Sequence, residues 1–144
     1  WDNQWAMIDS SIQNNPETFD NIFIMTHQLF FYNEGPTFIA VKPNSKSGKA
    51  PNLDFFEKYY SKICESKSNY YFFCGDIGAY ANNSKPVGYR FENLKIICTG
   101  MGSAKNDHFI SGKITGDSVQ LQVNYLSPSK VVPINDSFYD HITK

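Results

Sequence analysis

A chain of 144 residues is long enough for one domain with a real core. Its 41% hydrophobic and 19% charged residues exclude a disordered segment, and a net charge of −1 gives no electrostatic basis for binding nucleic acid or an anionic membrane. The 16% aromatic content favours strands and a sheet-built core, and no apolar run approaches the ~20 residues of a membrane span.

Trp1, Trp5, Ile8 and Ile12 recur at the spacing of one helix face, and Asn14, Asn15 and Pro16 end that helix. Asn21 to Thr26, NIFIMT, reads as a short buried strand that runs straight into His27. A polar loop from Asn33 to Asn52 follows, and its length is that of a functional or a mobile segment. Asn52 or Asp54 is suited to cap a second helix with Phe56, Tyr60 and Ile63 on its inner face. Tyr70 to Cys74 is a second buried strand, and Asn82 to Pro86 a polar turn. Val87 to Phe91 and Lys95 to Cys98 are two more strands, joined at Glu92-Asn93, and a glycine-containing loop spans Gly100 to Asp107. Phe109 to Thr115 and Ser118 to Tyr125 form a hairpin closed by Gly116-Asp117. The tail after Ser127, with Pro128 and Pro133, reads as irregular, so residues 1–126 make the domain and 127–144 an appendage. The order predicts an α/β fold: a layered sheet with covering helices, followed by antiparallel strands at its edge or in a second sheet.

No targeting segment is visible, and a start on Trp1 without Met is expected of a mature product or of a piece of something longer. The odd cysteine count, Cys64, Cys74 and Cys98 without CxxC spacing, argues against a disulfide framework or a zinc knuckle. Cys74 and Cys98 sit in hydrophobic runs and read as small buried side chains.

His27 and Asp76 carry the chemical interest. Each follows a buried strand, and ligands of open α/β sheets bind beyond the carboxyl ends of strands. His27 is either a packed or capping residue or an imidazole delivered into a site by a rigid strand. Gly75-Asp76-Ile77-Gly78 fits a turn whose aspartate satisfies backbone donors, and equally a carboxylate ligand whose glycine neighbours permit close approach. Gly100 and Gly102, after a third apolar strand, either form a turn or open space for a substrate. His108 is expected at the start of a strand in a structural or solvated role. Asn82-Asn83-Ser84 and Asn135-Asp136-Ser137 match the glycosylation sequon, a pattern with little meaning outside a secretory context.

Taken in order, WDNQWAMI, NIFIMTH, DFFEKYYSKI, YYFFCGDIGAY, GYRFENLKIICTGMGS and DHFISGKI resemble the C-terminal half of a calcineurin-like metallophosphoesterase, over about Trp1 to Tyr125. The resemblance implies that His27 is the histidine ligand of the second metal. Gly75 matches the glycine of the family's Gly-His-x-His motif, and Asp76 takes the place of its first histidine, also a second-metal ligand. A carboxylate there suits Mn, Fe, Zn or Mg. Gly78 replaces the second histidine and has no side chain with which to ligate. The family's Asp-x-His, Gly-Asp-x-x-Asp and Gly-Asn-His-Asp/Glu motifs lie upstream of this region and are absent from the chain. The resemblance therefore implies a metal-dependent phosphoesterase acting on a phosphate ester, incomplete without an N-terminal half or a second chain, with Gly75, Gly100 and Gly102 near the substrate. The alternative is a non-catalytic α/β binding or interaction module derived from that fold.

Overall fold

The computed structural model describes residues 2–13, 19–27, 59–75, 86–100 and 107–141. Helix α1 spans Asp2–Gln13 and strand β1 spans Asn21–Thr26. A helical segment that enters through Tyr59 and Tyr60 becomes α2, Ser61–Glu65. Strands β2, β3 and β4 follow at Asn69–Cys74, Val87–Phe91 and Leu94–Cys98. Then come β5, His108–Thr115, β6, Ser118–Leu126, and β7, Ser129–Ile134. A 3-10 turn at Asp136–Phe138 leads into β8, Tyr139–His141. The protein is thus mixed α/β, built mostly of strands in two sheets: five strands in the order β1-β2-β4-β3-β8, and three in the order β5-β6-β7.

The larger sheet is parallel where it matters for a site. β1 pairs with β2 and β2 with β4 in parallel register, from Asn21↔Asn69 to Thr26↔Cys74 and from Tyr70↔Leu94 to Cys74↔Cys98. β3 runs antiparallel to β4, and β8 extends the sheet in parallel with β3. Alternation along each strand then divides its side chains between two faces. Ile24, Tyr70, Phe72, Cys74, Leu94, Ile96 and Cys98, with Tyr89 and Phe91 from β3, form one apolar cluster together with Ile12 of α1, Tyr59 and Ile63. Burying each such large side chain contributes about 1.5–3 kcal/mol before the entropy of ordering the chain is set against it. The i, i+4 pair Tyr59 and Ile63 shows that the inner face of the second helix turns on Tyr59 as well as Tyr60, which is only partly buried; Phe56 lies outside the described residues.

The opposite face is also apolar, and aromatic. Phe23 stacks on Tyr71 and Phe73 with ring centroids 5.1 and 6.2 Å apart. Lys95 donates a 3.0 Å hydrogen bond to the Tyr71 hydroxyl, its Nζ 4.5 Å from that ring's centre. The three-stranded sheet lies against this face, joined to it where Asn21 donates to the Asp117 carbonyl at 3.1 Å.

Two expectations change. NIFIMT forms a strand as read, but Ile24 alone is buried and Met25 is 77% exposed. Among the described residues β1 is the edge of its sheet, with no strand beside one of its long sides. The segment 127–144 is not an irregular appendage over its described part. β7 completes the second sheet and β8 adds a strand to the first. Pro133 is accommodated because β7 is an edge strand, where a missing N–H removes no ladder bond on the open side. The Gly116-Asp117 turn matches its expected chemistry, with φ +57° at Gly116, which glycine adopts without a Cβ penalty; in the β3–β4 turn Glu92 takes φ +50°, uncommon for a residue with a side chain.

Candidate functional site

Parallel pairing of β1, β2 and β4 brings their carboxyl ends to one rim. The backbone bonding continues just past the strands. The Gly75 N–H donates to the carbonyls of Thr26, at 3.3 Å, and His27, at 3.1 Å. The Thr99 N–H donates to the Cys74 carbonyl at 2.8 Å. His27, Gly75 and Thr99-Gly100 therefore follow adjacent strands, with His27 and Gly75 in direct backbone contact. The His27 side chain is exposed at this rim. Gly100 is buried beside the end of β4. Asp76 and Gly102 lie outside the described residues.

Glycine at position 75 has a steric reason. A Cβ placed there would lie 3.1 Å from the His27 carbonyl oxygen, tighter than ordinary van der Waals contact. A side chain there would press on β1 at the His27 carbonyl, which would have to give by a few tenths of an ångström. The rim is thus a place of close backbone approach, which is one use of glycine at a ligand site.

His27 places an exposed imidazole at the rim, a side chain of a type that can ligate a divalent cation. Among the described residues no three His, Cys, Asp or Glu side chains gather closely enough to hold a metal. A complete coordination shell at this rim needs donors beyond that set.

His108 begins β5 as expected and is 1% exposed, its ring 5.5 Å from that of Tyr125. It lines a feature that the motifs did not point to. An open cleft of about 530 Å³ lies between the two sheets, with Phe23, Met25, Phe73, Ile97 and Thr99 on one wall and residues of β5 and β6 on the other. The signal for it was present in NIFIMT, NYYFFC and LKIIC. Those runs are apolar at odd and even positions alike, so both faces of the sheet had to be covered.

Three buried or partly buried tyrosines flank the core. Burial pushes the Tyr59 phenol up to about 12, helped by its hydrogen bond to Asp9 and by that residue's charge. Burial does the same to Tyr60, up to about 12, with contributions from the Cys64 thiol and the Glu92 charge. Tyr139 is raised further, again chiefly by burial. Arg90 and Asp136 form an ion pair at 2.5 Å with Asp136 largely exposed, an arrangement worth at most about 1 kcal/mol.

Among the described residues no helix is long and apolar enough to cross a membrane. Compared with known proteins, the chain matches no family model, no curated protein and no solved structure.

Proposed function

We propose that this chain is the C-terminal part of a metal-dependent phosphoesterase, with His27 and Asp76 holding one divalent cation. The observation that supports the reading most is the shared rim: three parallel strands end side by side, and the two that lead to His27 and Asp76 touch through Gly75. The His27 backbone is held at the end of β1, its carbonyl accepting from the Gly75 N–H, so the exposed imidazole projects from a fixed base. Gly75 keeps the ends of β1 and β2 in close backbone contact, and the reading requires the Asp76 carboxylate to bind the same cation. In this reading the phosphate ester is taken up beyond β4, where the sequence places Gly100 and Gly102. A divalent cation at such a rim supplies Lewis-acid stabilisation of charge on phosphoryl oxygens. The remaining donors and a general acid come from an N-terminal half or a second chain.

The test is hydrolysis of an aryl phosphodiester or monoester by the intact parent protein with Mn²⁺. His27→Ala is expected to abolish turnover while the chain alone shows little; unchanged turnover in that variant removes His27 from the site. A second reading, a non-catalytic binding module derived from the same fold, draws support from Gly78, which offers no side-chain donor where the family has a histidine. Under that reading the intact protein neither retains Mn²⁺ nor hydrolyses either ester.

A further inference from the structure

Below the rim, Cys74 is the last residue of β2 and Cys98 the last of β4, and the two are partners in the parallel register. Both side chains belong to the apolar cluster on the helix-covered face, 3% and 0% exposed, and their thiols share a hydrogen bond. Neither is in a disulfide. Register partners on neighbouring strands have Cα atoms about 4.7–4.9 Å apart, inside the roughly 4.4–6.8 Å range that a disulfide spans. We propose that Cys74 and Cys98 are an oxidisable pair: a low-molecular-weight disulfide converts them to an intramolecular Cys74–Cys98 disulfide that pins β2 to β4 directly beneath Gly75 and Thr99.

The chemistry balances without another reactant. One protein thiolate attacks the small disulfide, giving a mixed disulfide and one small thiolate. The second protein thiolate attacks the protein sulfur of that mixed disulfide and expels the second small thiolate. Two hydrogens leave the protein, the pair loses two electrons, and the reagent is reduced to two thiols. Burial governs the rate. The Cys98 thiol is held well above its usual range by its hydrogen bond with Cys74 and by burial, so in the closed fold it stays protonated. Exchange proceeds through opening of the strand ends, which are the less stable part of a sheet. Cys64 hydrogen-bonds Tyr60 on α2 and is half-buried, and it serves as the internal control.

The test is incubation of the protein with glutathione disulfide, without denaturant and in subdenaturing urea, followed by intact-mass measurement and peptide mapping after alkylation in full denaturant. The proposal predicts loss of two hydrogens, a peptide linking residues 74 and 98, an alkylatable Cys64, reversal by dithiothreitol, and a several-fold faster reaction in urea. Cys98→Ala is expected to lose no hydrogens and to keep glutathione on Cys74. Three alkylatable thiols after incubation in urea, a stable glutathione adduct on either member of the pair in the unsubstituted chain, or a bridge to Cys64 overturns it. The readout is independent of catalysis, so this proposal and the phosphoesterase reading stand or fall separately.

Discussion

Asn93, in the β3–β4 turn, is expected to be the most costly polar residue to replace outside the core. Its Nδ2 donates to three carbonyls, those of Ile63 at 2.6 Å, Ser68 at 2.7 Å and Ser66 at 3.1 Å, while its own carbonyl accepts from the Tyr70 N–H at 2.9 Å. One side chain thus ties the end of α2 and the start of β2 to the far hairpin. Asn93→Ala keeps the backbone bond and removes both amide hydrogens. At about 0.5–1.5 kcal/mol net per hydrogen bond, the loss is about 1–3 kcal/mol. For a chain of this size each kcal/mol moves Tm by about 2–4 °C, so the variant should melt roughly 4–8 °C lower at the middle of that range. Urea unfolding followed by circular dichroism should show a lower midpoint with an unchanged slope. Asn93→Asp should cost more at neutral pH, because a carboxylate oxygen would face carbonyl oxygens with no donor among them. Its folded-state pKa is then raised, so its destabilisation shrinks as pH falls through the carboxylate range and protonation supplies an O–H donor. Loss of less than about 0.5 kcal/mol in Asn93→Ala, the level of an ordinary surface change, refutes the clamp.

Two further outcomes follow from side chains around the sheet. A Cβ at Gly88 would overlap the Phe138 ring and come within 2.9 Å of Tyr139 Cδ1, so Gly88→Ala should force β8 away from β3. A cost of about 1–3 kcal/mol is expected, with amide exchange at Tyr139–His141 accelerated more than in β2; uniform acceleration contradicts the local cause. Tyr59, Tyr60 and Tyr139 have phenols raised in the folded state, chiefly by burial. Their contribution is full below the ordinary tyrosine pKa near 10 and is lost as pH rises from there through the raised values. Ultraviolet titration should show phenolate from these residues appearing together with unfolding, and Tyr59→Phe should weaken that alkaline dependence.

Much of this architecture follows from local signals. β2, β3 and β4 are runs of aromatic and branched residues bounded by turns, and the Gly116-Asp117 hairpin closes where its chemistry says it should. β8 was not legible. Tyr139–His141 is a strand only because β3 offers a partner, and three residues carry no periodic pattern of their own. β7 was obscured by Pro133, whose compatibility with a strand depends on that strand being at an edge, a property of the assembled sheet. The exposure of Met25 has the same origin. At the rim, the position of His27 after β1 and Gly75 after β2 was readable from strand ends alone, whereas their direct backbone contact required the parallel register. The inter-sheet cleft is signalled not by glycines or histidines but by the apolar character of β1, β2 and β4 at odd and even positions alike.

The proposed cation site at the carboxyl ends of β1 and β2 is probed by Mn²⁺ titration of the isotopically labelled chain. Paramagnetic broadening should appear first at the His27 imidazole and the Gly75 amide. The amides of Asn69 and Asn93, at the opposite end of the same sheet, should stay sharp, and His27→Ala should remove the effect. Broadening that begins elsewhere, or that survives in His27→Ala, contradicts the account.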